Sequence, residues 1–278
     1  MSSQAQPKAL QQTPIAGWSA VRLLRFTPVG LLLPLAIIAL LELSVSRGWV
    51  PAWLMPAPSD LLMTFRELAG GPLWTHISAS SQRVLLGFGI GAGLAVLIGT
   101  LVGMSRQLEA WLDPTFQALR AVPGLAWVPL LLIWLGIDEV SKVTLIAIGS
   151  FFPVYMNMVA GVRNVDRKLV EVGTQLGFSR AALMRRIMVP AALPYLFTGL
   201  RNGLSMAWLC VVAAELLAAT EGIGYLLTDG REVSRPDLVL AAIITLALMG
   251  KLTDSLLKHL EKRMLGWRDN FNGKEQSQ

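Results

Sequence analysis

The chain is 278 residues long, 54% hydrophobic and only 15% charged, with a mean hydropathy of +0.55. Soluble domains carry about 25% charged residues, so this composition excludes a water-facing globule, and its apolar excess excludes disorder. The single cysteine, Cys210, excludes a disulfide scaffold. The net charge of +6 fits a positive-inside membrane protein better than a nucleic-acid binder, provided the basic residues sort by loop.

Residues 1–25 form a polar tail, rich in Gln, Ser and Pro as far as Gly17. Six apolar spans follow: Val29–Ser46, Val84–Met104, Val122–Ile137, Val143–Val162, Leu196–Ala219 and Leu238–Leu257. The first contains Pro34 and Glu42, and Ser44-Val45-Ser46 fits a leader-cleavage site. The polar stretch before it and Glu42 itself argue against cleavage. Between the first two spans, residues 47–83 hold several prolines and glycines, and Asp60 to Ala69 is expected as a short amphipathic surface helix. The third span is short and is expected to begin nearer Phe116 or to lean on its neighbours. Residues 26–266 read as one transmembrane domain, and residues 267–278 as a second polar tail.

Six spans put both termini on one side. The loops of that side hold Lys8, Arg22, Arg25, Arg106, Arg120, Arg163, Arg167, Lys168, Arg180, Arg185, Arg186, Lys258, Lys262, Arg263, Arg268 and Lys274. The other side holds only Arg47, Arg66, Arg83, Lys142, Arg231 and Arg235. The basic-rich side is cytoplasmic, so both termini are expected in the cytoplasm.

The second span repeats small residues every fourth position, at Gly87, Gly91, Ala95, Gly99 and Gly103. Such a stripe lets another helix backbone approach closely, and a sliding surface is the sharper alternative. Its Gly87-Phe88-Gly89-Ile90-Gly91-Ala92 run also fits a loose dinucleotide fingerprint, but no strand precedes it. His76 and His259 fall on opposite sides, so no metal cluster or Ser/His/acid set assembles from the sequence. The chain contains no Gly-x-x-x-x-Gly-Lys-Ser/Thr phosphate loop. Any ATP it uses must be held by a partner.

Glu42, Arg201, Glu215, Lys251 and Asp254 lie at membrane depth. Each costs about 2.5–3.5 kcal/mol at a helix centre and should face protein or a cavity. Arg201, Lys251 and Asp254 are near helix ends and are expected to snorkel or pair. Glu215 is deeper, and a pathway or gate role stands beside a structural pair for it. On the exported face, Arg231 and Arg235 offer forked donors to a small oxyanion, or pairs to Glu232 and Asp237.

Between the fourth and fifth spans lies a basic helix–Gly–helix elbow. Asp166 is expected to cap a helix carrying an apolar stripe of Leu169, Val172 and Leu176. Gly177 supplies a left-handed turn, and Ser179 caps a second helix that is expected to stop at Pro190. An ordered elbow of this kind lies on anionic lipid or docks a cytoplasmic partner.

Within it, Glu171-Val172-Gly173-x-x-x-Gly177-x9-Ile187-x-Val189-Pro190 resembles the EAA loop of ABC-importer permeases. The spacing is intact, while Val172, Gly173 and Val189 replace the two alanines and the leucine. Leu119-Arg120-Ala121-Val122-Pro123, Phe151-Phe152-Pro153-Val154-Tyr155-Met156-Asn157, Thr198-Gly199-Leu200-Arg201, Ala214-Glu215, Gly222-Ile223-Gly224-Tyr225 and Trp267 extend the likeness along the chain to the nitrate, sulfonate and taurine branch. Trp134-Leu135-Gly136-Ile137-Asp138-Glu139 and Gly250-Lys251-Leu252-x-Asp254 resemble the aliphatic sulfonate permeases most.

The resemblance implies an all-α, multi-pass inner-membrane bundle without catalytic residues or a cofactor of its own. It implies a homodimer, a cytoplasmic ATPase dimer that holds ATP and Mg²⁺, and a periplasmic substrate-binding protein. It makes Glu171, Val172, Gly173, Gly177, Phe178, Ser179, Ile187 and Pro190 the ATPase-coupling loop, with Glu215, Arg201 and Asn157 as pathway or gate candidates. Nitrate and taurine are the alternative substrates. An ion-coupled secondary carrier is the rival class, and it would call for inverted repeats and acidic coupling sites.

Overall fold

The computed structural model describes residues 29–266. The tail at residues 1–25, the tail at residues 267–278, and Trp267 lie outside the described residues. The chain divides into two compact units, Met1–Ser59 and Asp60–Gln278.

In the first unit, α1 (Val29–Ser46) is apolar but short, with Pro34 inside it. Its one acid is occupied: Glu42 accepts from the Ser59 backbone N–H at 3.0 Å and from the Ser59 hydroxyl at 2.8 Å.

The second unit opens with the expected amphipathic helix, α2 (Pro58–Ala69), which buries Thr64 and Leu68. It continues with α3 (Pro72–Met104), α4 (Arg106–Ala121), a 3-10 turn at Gly124–Trp127, α5 (Val128–Leu135) and α6 (Glu139–Arg163). Then come α7 (Arg167–Gln175), α8 (Arg180–Leu183), a π-helical turn at Met184–Met188, α9 (Val189–Ala218), α10 (Ile223–Glu232) and α11 (Pro236–Met264). Among the described residues, α3, α6, the stretch ending in α9, and α11 are long and apolar enough to cross a membrane. The third expected span is not one straight helix. Pro123 cannot donate a backbone N–H, and α4 and the segment Gly124–Leu135 meet there at 90°.

The small-residue stripe does tight packing. A Cβ at Gly87 would sit 2.6 Å from the Ile146 Cβ, one at Gly99 3.0 Å from the Met158 Cβ, and one at Gly103 2.8 Å from the Val162 Cβ. At Gly91 it would overlap the Ala147 carbonyl and the Ser150 hydroxyl. These pairs advance together, so α3 and α6 are parallel neighbours. A parallel pair needs a return crossing between them, and the bent α4–α5 pair supplies it.

An adjacent face of α6 takes α9 in the same way, now antiparallel. Gly149 abuts Cys210, Gly199 abuts Asn157, and Gly161 abuts Tyr195. With no hydrophobic drive between helices in lipid, such close backbone contact is what holds them together. Helix α6 is therefore the central element, and its buried Tyr155 also meets Phe116 of α4 edge-on at 5.0 Å between ring centroids.

Candidate functional site

The elbow forms as its residue types dictate at the first arm and departs at the second. The Asp166 carboxylate accepts from the Lys168 N–H at 2.9 Å and starts α7. At its other end Gly177 has φ +74°, the Gly177 N–H reaches the Thr174 carbonyl, and the Phe178 N–H reaches the Gly173 carbonyl, each at 3.0 Å. This is a Schellman stop, which needs a residue free to adopt positive φ. The Ser179 hydroxyl then accepts from the Ala182 N–H at 3.3 Å.

At Gly173, where the resembled pattern has an alanine, a Cβ would come within 2.5 Å of the side-chain tips of Ile187 and Leu183, so the two arms pack against each other here. The Arg186 guanidinium lies over the Phe178 ring at 5.4 Å. Facing outward, Leu169, Val172 and Leu176 are 50%, 53% and 67% exposed, and Glu171 is exposed beside them.

The second arm does not stop at Pro190. It widens into the π turn at Met184–Met188, and Pro190 falls in the first turn of α9. An extra residue per turn absorbs the missing N–H and the ring, so the chain stays helical. The elbow is thereby continuous with a membrane-crossing helix.

At the far end of the bundle, α3 begins at Pro72 rather than near Val84, and its first turns carry polar residues inward. Glu215 of α9 is 1% exposed. It accepts from the Arg83 guanidinium at 2.6 Å, the Ser80 hydroxyl at 2.8 Å and the Gly224 backbone N–H at 2.8 Å. Arg83 also forks onto Glu139 at 2.6 and 2.8 Å, and Lys142 donates to Glu139 at 2.8 Å.

Gly222 is at φ +131°, where any Cβ would enter the Glu215 carboxylate, which accounts for the Gly222-Ile223-Gly224 pattern. His76 accepts from the Gly222 N–H at 3.1 Å. Three helices, α3, α9 and α10, are thus tied through one buried carboxylate, and Arg83 links it on to Glu139 of α6. Arg83 and Lys142, assigned to exported loops by hydropathy, are buried members of this network. The helical spacing of His76, Ser80, Arg83 and Gly87 along one face was the missed signal.

Arg201 pairs with Asp254 at 2.8 Å and lies 3.8 Å from Glu261, joining α9 to α11 near the elbow end. Lys251 is exposed. Arg235 is taken up by Asp237 at 2.6 Å and lies 3.7 Å from Glu67, so it is not a free fork for an oxyanion, while Arg231 is exposed.

Residues 91–266 match the family described as "binding-protein-dependent transport system inner membrane component". The chain belongs to this family. The SsuC aliphatic sulfonates transport permease protein of Bacillus subtilis (strain 168) is 46% identical to this permease over 245 residues, covering 88% of this chain and 89% of the relative. The protein of the same name from Escherichia coli (strain K12) is 41% identical over 264 residues, covering 95% of this chain and 98% of the relative. A chain of the MetNI methionine ABC transporter in an inward-facing form shares the fold, with a TM-score of 0.60 at 13% identity over 69% of this chain and 97% of that one.

The permease is accordingly a multi-pass inner-membrane component of an ABC importer. Its ATPase and substrate-binding protein are separate partners, and it is not itself an enzyme.

Two open pockets with ionisable groups in their lining occur among the described residues of this permease. One, of about 420 Å³, lies at the break after α4 and is lined by Arg120, Gly124, Trp127, Phe152, Asn157 and Asn202 among others. The other, of about 520 Å³, lies at the far end and is lined by Asp138, Glu139, Lys142, Glu215 and Glu232 among others. Of the three pathway or gate candidates, Asn157 faces the first, Glu215 borders the second, and Arg201 lines neither. Asn157 donates to the Pro153 carbonyl at 2.8 Å.

Proposed function

We propose that this permease carries aliphatic sulfonates into the cytoplasm as one half of a homodimer driven by a cytoplasmic ATPase dimer. The observation that carries the coupling is the elbow. It presents an apolar stripe outward on a closed two-armed frame, and that frame runs without a break into α9. A partner gripping Leu169, Val172 and Leu176 moves a membrane helix directly, because no flexible joint absorbs the displacement.

ATP and Mg²⁺ bind the ATPases, whose closure draws the two elbows together and rocks the paired bundles from inward- to outward-facing. The binding protein then releases its anion into the open cavity, and hydrolysis resets the cycle. The predominance of basic residues on the elbow side supports cytoplasmic termini. The permease domain is residues 26–266, flanked by the two tails. Glu215 serves as a structural tie, since its carboxylate is committed to Arg83, Ser80 and Gly224.

The sulfonate assignment is supported by the two SsuC relatives at 46% and 41% identity. A strain lacking this gene, and any second system of the kind, should fail on ethanesulfonate as sole sulfur source and recover with the gene restored. Unimpaired growth there, with failure on taurine or nitrate, would move the assignment to that anion.

A further inference from the structure

The 420 Å³ cavity differs from the far-end one in the sign of its charge. Among its lining residues Arg120 is the only ionisable group, with no carboxylate, whereas four carboxylates and one lysine line the other. Among the described residues no acid forms an ion pair with Arg120. It lies in the last turn of α4, just ahead of Val122-Pro123, where the backbone turns by 90°. Assigned to a cytoplasmic loop by hydropathy, Arg120 is exposed and lines this pocket beside Phe152 and Asn157 of α6.

The remaining lining is of two kinds. Asn157 and Asn202 bring carboxamide donors, from the middle of α6 and of α9. Trp127, Phe152 and Met206 bring apolar wall. One forked cation, two amides and an apolar surface complement a molecule with a trigonal oxyanion head and a short hydrocarbon tail. The guanidinium fork matches two of three sulfonate oxygens, the amides can serve the third, and the tail lies on the wall.

We propose that this cavity is a binding station for the alkanesulfonate on its way through the permease, with Arg120, Asn157 and Asn202 holding the head and Trp127, Phe152 and Met206 the tail. The proposal rests on the sulfonate reading given above. It makes the permease a second filter after the binding protein, one sensitive to both head charge and tail length.

The test uses the intact permease–ATPase complex in proteoliposomes, with the binding protein present and ethanesulfonate and butanesulfonate as probes. Loss of a charge-assisted fork of about 1.5–3 kcal/mol corresponds to a fall of about ten-fold or more in ethanesulfonate uptake for Arg120→Gln. Arg120→Lys, which keeps the charge but not the fork, should recover part of it. Phe152→Ala should raise the ratio of butanesulfonate to ethanesulfonate uptake, which a merely structural role of the ring would leave unchanged.

Uptake within two-fold of wild type in both Arg120→Gln and Asn157→Leu would overturn the site. So would an unaltered tail-length ratio in Phe152→Ala when the complex assembles at wild-type yield. Failure of the wild-type complex to take up either sulfonate would instead refute the sulfonate reading on which the site rests.

Discussion

The two ends of the bundle handle charge in opposite ways. At the far end Glu215, Arg83, Glu139 and Lys142 come from α3, α6 and α9, and the α10 backbone closes the same carboxylate. At the elbow end the ties are smaller and wetter: Arg163 with Glu109, and Arg201 with Asp254 and Glu261, their side chains about a quarter to a third exposed. Below them the elbow leaves its apolar stripe open. Breaking a buried pair strands a charge, whereas an exposed pair is readily replaced by water. The far end is therefore built to stay together while the elbow end yields to a partner.

The largest expected effect comes from removing the tie itself. Glu215→Leu leaves the Ser80 hydroxyl and the Gly224 N–H without their acceptor, and Arg83 with Glu139 as its one remaining acid. It should cost about 1–3 kcal/mol for each stranded donor, seen as a large fall in the thermal midpoint of the detergent-solubilised protein. A midpoint equal to wild type would erase the contrast between the ends.

Next in size is the α3–α6 seam that joins them. Gly91→Val forces a side chain into the Ala147 carbonyl and the Ser150 hydroxyl, for about 1–3 kcal/mol of overpacking. Gly93→Val, two residues along the same helix with nothing within 4 Å of its Cβ, should leave the midpoint unmoved. Equal losses in both would mean that helix propensity, not packing, governs the seam.

Gly177→Val comes third, because φ +74° is a conformation a β-branched residue resists by about 1–2 kcal/mol. The strain is local to the elbow, so membrane levels should hold while ATPase association or transport-linked hydrolysis falls. Arg201→Gln should have the smallest effect, under about 1 kcal/mol, as befits a pair about a third exposed on each side.

The elbow was legible because its determinants are local. Asp166, Gly177 and Ser179 each fix a turn within a few residues, and all three act as their types require. Pro190 misled because a proline reads as a stop, whereas a π turn just ahead of it keeps the helix going. The Glu215 tie was only half legible. A buried acid announces the need for a partner, but Arg83 lies 132 residues away and sits before the apolar run begins, so hydropathy placed it in a loop. The third span betrayed itself by its short length, and Pro123 marked where it breaks, though not the 90° angle at which its halves meet. The stripe from Gly87 to Gly103 was readable as tight packing, though not which helix it would meet.

The most direct test of the contrast is Val172→Glu, a charge placed in the middle of the outward stripe where nothing else in the fold depends on it. Permease and ATPase are co-expressed, extracted in mild detergent and purified through a tag on the permease. The account predicts a variant permease with a wild-type thermal midpoint that no longer brings the ATPase with it. A variant that retains the ATPase in wild-type proportion would show that the elbow is not where the ATPase docks.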